Sequence, residues 1–573
     1  MSAATYTVRR NADVPMSDGV RLRADIWLPD RDGPVPVLLE RMPYDKSSSF
    51  MAQHIVGLEI VRALDAGFAV VVQDTRGRYA SEGDFDPFTH EAADGSDTVA
   101  WLLEQDFCDG HVFMYGASYI GATQLLAASA APEGLRAIAP QLTTSDYYES
   151  WTYRGGALQL GFVLLWIIES LAPPDLDRRA PDATLSALLA DLREDPWHAM
   201  DLVPARRKEL EALAPYLRDW LAHPSRDGFW AAIDPSRAYG RMDVAGLHIG
   251  GWHDLFLDGT LRNYRGLTEH APTEEARGRQ YLVVGPWSHG NLSGWQGDGW
   301  HGYDADSGAL DLTAMHLEFF SAIAAGREPD LPKARIFFTG ADTWHDLPSW
   351  PPPGTTPTSW ALRADGGLTQ GAAGEQATLT YRSDPANPVP TTGGATFLPG
   401  LLVARDSGPK DQAAIEARDD VLVLTSAPLE TGLTIAGEVV LHLEAASSAE
   451  DCDWTARLTE VDAAGRSVGL VDGILRARYR HGGAAVALTP GRRESYRLPL
   501  GSIAHVVPAG HRLRLQIASS NYPRFDRNPQ TMADPAEATG DDFAVADQTV
   551  FVGAGGTHLV IPIAPDLPEG PGA

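Results

Sequence analysis

Residues 112–123 read VFMYGASYIGAT, and this stretch decides the class of fold. A short apolar run ends at Gly116, Ser118 follows two residues later, and a helical pattern of small residues begins at Tyr119. One interpretation is that Ser118 caps this helix. The other is that a sharp strand-to-helix turn of the G-x-S-x-G type exposes the Ser118 hydroxyl at the top of a sheet, with the second glycine displaced to Gly121. On these residues alone both interpretations remain open.

The apolar runs on either side of this stretch predict an α/β fold. Short, continuous apolar runs suit strands that are buried on both faces of a parallel sheet. Such runs occur as PVPVLLE at 34–40, GFAVVVQD at 67–74, RAIAPQ at 136–141, LHIGGW at 247–252 and QYLVVGPW at 280–287. Helical patterns separate them, and strand-helix alternation is typical of the α/β class. An antiparallel hairpin over the first 30 residues is expected to precede the parallel strands.

Changes in pattern along the chain divide it into four segments. We assign residues 1–145 and 241–351 to the two parts of one α/β core. Residues 146–240 are rich in helical patterns and charge, which predicts a helical cap inserted into that core. After the PPPG at 351–354, short β-rich runs alternate with Gly, Pro and Asp, so residues 352–573 are predicted to form a β-sandwich of the jelly-roll type.

Composition excludes several classes of partner. The 573 residues include 76 acidic and 46 basic side chains, and the net charge of −30 argues against binding to nucleic acids or anionic membranes. Cys108 and Cys452 are the only cysteines, too few for a disulfide framework or a zinc motif. The N-terminal residues lack an apolar signal segment, and LGFVLLWII at 160–168 is shorter than the ~20 residues of a membrane span. We therefore expect a cytoplasmic protein without nucleic-acid or membrane partners.

Two later loops offer partners for a nucleophilic Ser118. A serine hydroxyl is a weak nucleophile unless a base activates it and an acid orients the base. GGWHDLFLDG follows the strand LHI and supplies Asp254, and GPWSHGN follows YLVV and supplies His289. The chain order serine, acid, histidine, with acid and base after later strands, is typical of one large class of hydrolases. Asp258, in the same loop region as Asp254, is the alternative acid.

Acyl transfer also requires donors for the developing oxyanion. The backbone N–H of Tyr119, directly after the nucleophile, is one candidate. The loop RMPYDK at 41–46 follows the strand PVLLE and offers the Tyr44 phenol, a donor in its neutral form below about pH 10. Tyr44 could instead be an aromatic packed beside a turn proline. His253 has no spaced His or Cys partner, so we expect neither a metal nor a cofactor.

At this point the residues resemble a known family. RMPYDK, QDTRGRYASEG, YGASYIG, GWHDLF, GPWSHGN and SSNYPRFDRNP at 519–529 are similar to the family of serine hydrolases that comprises cocaine esterases and X-Pro dipeptidyl-peptidases, and more so to its esterases. The resemblance implies an α/β-hydrolase fold with an inserted helical cap and a C-terminal jelly roll. It implies Ser118 as nucleophile, Asp254 as acid, His289 as base, and the Tyr44 hydroxyl and Tyr119 N–H as oxyanion hole. It also implies a homodimer, which nothing in the sequence tests.

The substrate is the least determined feature. Trp151, Trp166 and Phe256 match aromatic positions that line the acyl pocket in this family, and ordinary core packing is the alternative for each. A peptidase would also need carboxylates for a substrate ammonium, for which the residues offer Asp146, Glu149 and Glu169. We expect a small-molecule ester substrate with an aromatic or short acyl group. The alternatives are an X-Pro dipeptidyl-peptidase or amino-acid ester or amide hydrolase, and, more remotely, an inactive hydrolase whose β-domain binds carbohydrate.

Overall fold

The computed structural model of the chain describes residues 6–48, 58–178, 182–194, 207–397 and 407–565. The first part of the chain contains β1 (Tyr6–Pro15), β2 (Arg21–Pro29), β3 (Val35–Met42), β4 (Ala69–Asp74), β5 (Cys108–Ala117), β6 (Leu135–Gln141), β7 (Tyr153–Arg154), β8 (Ala157–Leu158), β9 (Ala245–His253), β10 (Gln280–Ser288), β11 (Trp295–Gln296), β12 (Gly299–Trp300), β13 (Ala334–Phe338) and β14 (Thr343–Leu347). Each apolar run predicted as a strand is one.

Ten of these strands form a single sheet in the order β1-β2-β4-β3-β5-β6-β9-β10-β13-β14. The strands from β4 to β13 in this order pair in parallel, while β1 and β2 form the predicted antiparallel hairpin. Residues of β4, β9 and β10 are buried throughout, because helices cover both faces of a parallel sheet. The carboxyl ends of β3, β5, β9 and β10 therefore meet at one edge of the sheet, where ligands of such folds bind.

Helices flank this sheet and form a layer above it. Among the described residues the α-helices of this part are Ile60–Asp65, Glu91–Leu103, Tyr119–Ser129, Leu160–Trp166, Ala172–Arg178, Ala183–Glu194, Arg207–Leu213, Pro215–Ala222, Gly228–Ala232, Leu257–His270, Glu274–Gly278, Ser307–Leu310 and Leu312–Ala324, and a further one, Ala413–Glu416, lies in the C-terminal part. Two π-helical turns, Tyr147–Thr152 and Ile167–Leu171, and the 3₁₀ turns Pro235–Arg241 and Tyr303–Ala305 lie in the same part of the chain. The 3₁₀ turns Ala477–Tyr479 and Gly540–Asp542 lie in the C-terminal part. Among the described residues, none of these helices combines the length and apolar character that crossing a bilayer requires.

The C-terminal part is an all-β domain. Its strands are β15 (Thr356–Leu362), β16 (Gly367–Thr369), β17 (Ala377–Ser383), β18 (Leu422–Ser426), β19 (Leu433–Ser447), β20 (Asp453–Val461), β21 (Ser467–Arg476), β22 (Glu494–Val507), β23 (Arg512–Ala518), β24 (Ala546–Val552) and β25 (His558–Ile563). Its neighbours in space are distant in sequence, as in β15 with β25 and β17 with β24, which is typical of a jelly roll. One hydrophobic core joins this domain to β9, β10 and β13.

Candidate active site

Ser118 occupies a strained turn between β5 and the helix Tyr119–Ser129. Its backbone has φ 61° and ψ −127°, a conformation that side-chain-bearing residues rarely adopt and that clusters at functional sites. The Ser118 side chain makes no capping hydrogen bond to the helix. It is half-buried, whereas Ala117 and Tyr119 on either side are fully buried. Of the two interpretations of this serine, the structure supports the sharp strand-to-helix turn and not the helix cap.

The displaced second glycine has a packing reason. A Cβ atom at Gly121 would lie 2.6 Å from Thr143 Cγ2 and 3.3 Å from the Gln141 carbonyl oxygen. Those residues also hold the turn, since the Ser118 N–H donates to the Gln141 carbonyl at 2.9 Å and the Thr143 hydroxyl donates to the Ser118 carbonyl at 2.7 Å. Only a glycine at 121 lets the helix approach these anchoring residues so closely.

Three loops at the sheet edge bring Ser118, His289 and Asp254 together. His289 Nε2 lies 2.9 Å from Ser118 Oγ, and His289 Nδ1 lies 2.8 Å from Asp254 Oδ1. Asp254 follows β9 and is buried, and His289 follows β10. An ionised carboxylate only accepts hydrogen bonds, so Nδ1 carries the imidazole proton and Nε2 is left to accept the proton of the serine hydroxyl. The arrangement can activate Ser118 as a nucleophile.

The alternative acid, Asp258, lies in a different environment. Its Oδ2 accepts a hydrogen bond from Arg154 Nη2 at 2.9 Å, and the carboxylate is one-third exposed. It belongs to the helix Leu257–His270, one turn beyond the loop that carries Asp254. Of the two aspartates, Asp254 contacts His289, whereas Asp258 forms an ion pair with Arg154.

Tyr44 and Tyr119 lie next to Ser118 as the sequence predicts. Tyr119 is the first residue of its helix, so its backbone N–H has no intrahelical acceptor. Its side chain is held by Glu91, to which the phenol donates at 3.0 Å. Tyr44 follows β3, and the Trp166 indole N–H donates to its hydroxyl at 2.9 Å. Burial raises the pKa of the Tyr44 phenol above its ordinary value and outweighs Trp166 and Ser118, which lower that pKa. The phenol therefore keeps its proton.

A cluster of aromatic rings packs against His289. Trp151 and Phe256 stack with ring centroids 4.3 Å apart, and the Trp151 and Trp166 rings meet at 5.2 Å. Phe256 contacts the His289 ring at 5.0 Å, edge to face. The three predicted pocket residues therefore share one cluster with the catalytic candidates, and all three are also part of the hydrophobic core.

Sequence reasoning missed Phe397. Its ring lies 4.6 Å from that of His289 and 5.4 Å from that of Phe162, so it packs against the imidazole. Phe397 comes 108 positions after His289 in a Gly- and Thr-rich stretch between β17 and β18 of the β-domain, and no local motif marks it. A stretch without strand or helix signal gave no means of finding this contact.

The carboxylates proposed as ammonium anchors have other partners. Asp146 is buried and accepts hydrogen bonds from Arg226 and from Arg262, the latter at 2.6 Å. Glu149 accepts the Gly155 N–H at 2.9 Å and lines a cleft of about 500 Å³ between the cap and the β-domain. None of Ser118, His289 and Asp254 lines that cleft. Glu169 lies half-buried on the π-helical turn after Trp166.

His253 is a structural residue within β9. It is buried, and burial is the main cause that lowers the pKa of its imidazole to about 3, with smaller electrostatic contributions from His301 and His505. Among the residues that the structure describes, no group of three or more His, Cys, Asp or Glu side chains is arranged to hold a metal ion.

Comparison with known proteins identifies the family. The sequence model of one protein family, "X-Pro dipeptidyl-peptidase (S15 family)", matches residues 18–291. A second, "X-Pro dipeptidyl-peptidase C-terminal non-catalytic domain", matches residues 328–561. Cocaine esterase of Rhodococcus sp. (strain MB1 Bresler) is 38% identical over an alignment of 586 positions, which spans 98% of this chain and 100% of that protein. The chain belongs to the X-Pro dipeptidyl-peptidase (S15) family. The resemblance inferred from the motifs is thereby confirmed.

Solved structures agree with membership of this family. An aminopeptidase from a marine sediment Thaumarchaeota archaeon superposes with a TM-score of 0.84 at 26% identity, covering 98% of this chain and 96% of its own. An α-amino acid ester hydrolase superposes with a TM-score of 0.83 at 25% identity, covering 98% and 97%. The predicted α/β-hydrolase fold with a C-terminal β-domain is confirmed, and the protein is a serine hydrolase.

Proposed function

We propose that this S15-family hydrolase cleaves carboxylic esters with aromatic or short acyl groups through an acyl-enzyme on Ser118. The observation that carries the proposal is the continuous chain of contacts Ser118 Oγ–His289 Nε2–His289 Nδ1–Asp254 Oδ1, at 2.9 and 2.8 Å. These distances are those of a competent nucleophile, base and orienting acid.

In this proposal each group has one role. Ser118 Oγ attacks the ester carbonyl carbon while His289 Nε2 takes its proton, and Asp254 stabilises the imidazolium. The negative charge on the former carbonyl oxygen is held by the Tyr44 hydroxyl and the Tyr119 N–H. Collapse of the intermediate expels the alcohol, which leaves with the proton from His289. Water then cleaves the acyl-serine by the same steps, and the carboxylic acid is released.

The surroundings of the acyl group favour esters. Trp151, Trp166 and Phe256 form a buried aromatic cluster in which Phe256 contacts His289, and an aromatic acyl group that enters there makes favourable ring contacts. A substrate ammonium would need a carboxylate, because an unpaired buried charge costs several kcal/mol. Asp146 is already paired with two guanidinium groups, and Glu149 lines the separate cleft. The similarity to the cocaine esterase named above supports the same choice.

The second candidate is a hydrolase of amino-acid esters, amides or X-Pro peptides. Two observations favour it: the family description, and the high structural similarity to an aminopeptidase and to an α-amino acid ester hydrolase. The contacts that join the triad of Ser118, His289 and Asp254 argue against the third alternative, an inactive hydrolase with a carbohydrate-binding β-domain.

Two measurements test the proposal. A sulfonyl fluoride is expected to label Ser118 and to leave the Ser118→Ala variant unlabelled, while that variant loses several orders of magnitude in kcat. A benzoyl aryl ester is expected to exceed an Ala-Pro anilide in kcat/KM by about a hundredfold or more, equivalent to ~2.7 kcal/mol of transition-state binding.

A matched pair of substrates separates the two candidates more sharply. The 4-nitrophenyl esters of phenylalanine and of 3-phenylpropanoic acid differ only in the α-ammonium group. The esterase proposal expects the uncharged ester to be at least as good a substrate. A strong preference for the phenylalanine ester, or for the Ala-Pro anilide, would replace it by the second candidate.

A further inference from the structure

The Tyr44 hydroxyl has a dedicated hydrogen-bond donor. Trp166 Nε1 lies 2.9 Å from the Tyr44 oxygen, and an indole N–H only donates, so the phenol oxygen accepts here. A phenol that accepts from one side still carries its own proton, which it donates elsewhere. Ser118 lies close enough to the phenol to lower its pKa. The indole therefore constrains the direction in which the phenol proton points.

Arg78 connects the two segments that carry these side chains. Its guanidinium is fully buried and donates through Nε to the Pro43 carbonyl at 3.0 Å. Its Nη1 and Nη2 donate to the carbonyls of Leu171 and Ser170 at 3.1 and 3.2 Å. Pro43 directly precedes Tyr44, and residues 170 and 171 belong to the π-helical turn that continues the helix of Trp166. One planar group thus spans the loop and the cap.

The loop is also held on the far side of Tyr44. The Lys46 N–H donates to Asp74 Oδ1 at 2.8 Å, and Lys46 Nζ lies 3.2 Å from Asp74 Oδ2. Asp74 and Arg78 both belong to the sequence QDTRGRYASEG, which the roles assigned to the triad leave unexplained. Through these contacts two residues of that motif hold the loop that carries Tyr44.

We infer that Trp166 and Arg78 are positioning residues for the reaction: Trp166 directs the Tyr44 proton toward the oxyanion, and Arg78 holds the Tyr44 loop and the Trp166 helix at the separation this requires. The inference rests on the proposed function, in which Tyr44 stabilises the oxyanion. A lysine could not replace Arg78, because an ammonium lacks the planar array of donors that reaches three carbonyls.

Trp151 provides a matched control for Trp166. Both are buried tryptophans of the same aromatic cluster, and their rings contact each other. The Trp151 Nε1 atom has no hydrogen-bond partner among the described residues, whereas Trp166 Nε1 binds Tyr44. Replacing either by phenylalanine removes the same atoms, but only one replacement removes a contact to the oxyanion donor.

The test is a pair of double-mutant cycles in kcat on an activated aryl ester, with W166F, W151F and Y44F alone and in combination. Y44F is expected to lower kcat by about 10²–10³-fold. W166F is expected to lower kcat by about tenfold with little change in KM, and to have almost no further effect in the Y44F background. W151F is expected to have the same effect in both backgrounds.

A W166F effect of equal size in both backgrounds would overturn the inference and leave Trp166 as a wall of the acyl pocket, with the proposed function intact. Near-normal turnover of Y44F would instead remove the oxyanion role of Tyr44 and the inference with it. R78K supplies a second measurement: it is expected to lower kcat in the Tyr44 protein and not in the Y44F background. An additive R78K effect in a folded variant would exclude Arg78 from the positioning role.

Discussion

Replacing Asp254 by asparagine isolates the orienting acid from everything else in the site. The side chain keeps its size, and position 254 is buried against His289. We therefore expect the surrounding loop to keep its conformation. An amide, however, presents an N–H as readily as a carbonyl oxygen. If that N–H donates to His289 Nδ1, the imidazole proton moves to Nε2, which then cannot accept the proton of Ser118.

The expected loss follows from this change of tautomer. The single 2.8 Å contact between Asp254 Oδ1 and His289 Nδ1 holds the imidazole in the productive form and stabilises its charge after proton transfer. Losing both effects typically lowers kcat by about 10⁴-fold, or ~5.5 kcal/mol of transition-state stabilisation. The KM of the ester should change little, because the acyl pocket is untouched.

Asp258→Asn is the matched control, since it makes the same chemical change four residues away. Asp258 is one-third exposed and pairs with Arg154, and a pair of that kind contributes at most about 1 kcal/mol to stability. We expect its kcat to stay within about threefold of the wild-type value. Steady-state and single-turnover hydrolysis of an activated aryl ester, with circular dichroism to verify folding, measures both variants.

Two outcomes would refute this reasoning. If D254N keeps more than about a tenth of wild-type kcat, the contact with His289 has no orienting function. If D258N suffers the larger loss, the acid has been assigned to the wrong residue.

The remaining predictions concern packing and pH. Gly121→Ala is expected to destabilise the fold by about 1–3 kcal/mol in urea unfolding and to lower kcat, because the new Cβ displaces Thr143, which anchors the Ser118 carbonyl; wild-type stability would contradict it. Burial raises the pKa of the Glu40 carboxyl to about 8 from 4.5. The folded state therefore binds the extra proton between these pH values, and wild-type stability should fall relative to Glu40→Gln as pH rises through that window. Parallel stability curves for the two proteins would show that Glu40 does not titrate there.

Much of the site was predictable from local sequence. The apolar runs that became β3, β4, β5, β6, β9 and β10 are recognisable because a strand buried on both faces must be apolar throughout. Parallel strands bring their carboxyl ends to one edge, so residues directly after such runs, Ser118, Asp254 and His289, were expected to meet. Each of these inferences needs only neighbouring residues and the geometry of a parallel sheet.

The tertiary structure decided what depends on contacts across the chain. It chose Asp254 over Asp258, engaged Asp146 with Arg226 and Arg262, and brought Phe397 onto the ring of His289.

It also placed the indole of Trp166 on the hydroxyl of Tyr44, across 122 positions of sequence. The partner of a side chain depends on which distant segments the fold brings next to it, and the local sequence pattern does not contain that information. Hydrophobic periodicity therefore predicts which elements form and where they end, whereas hydrogen-bond partners and ring contacts become defined only when the elements pack.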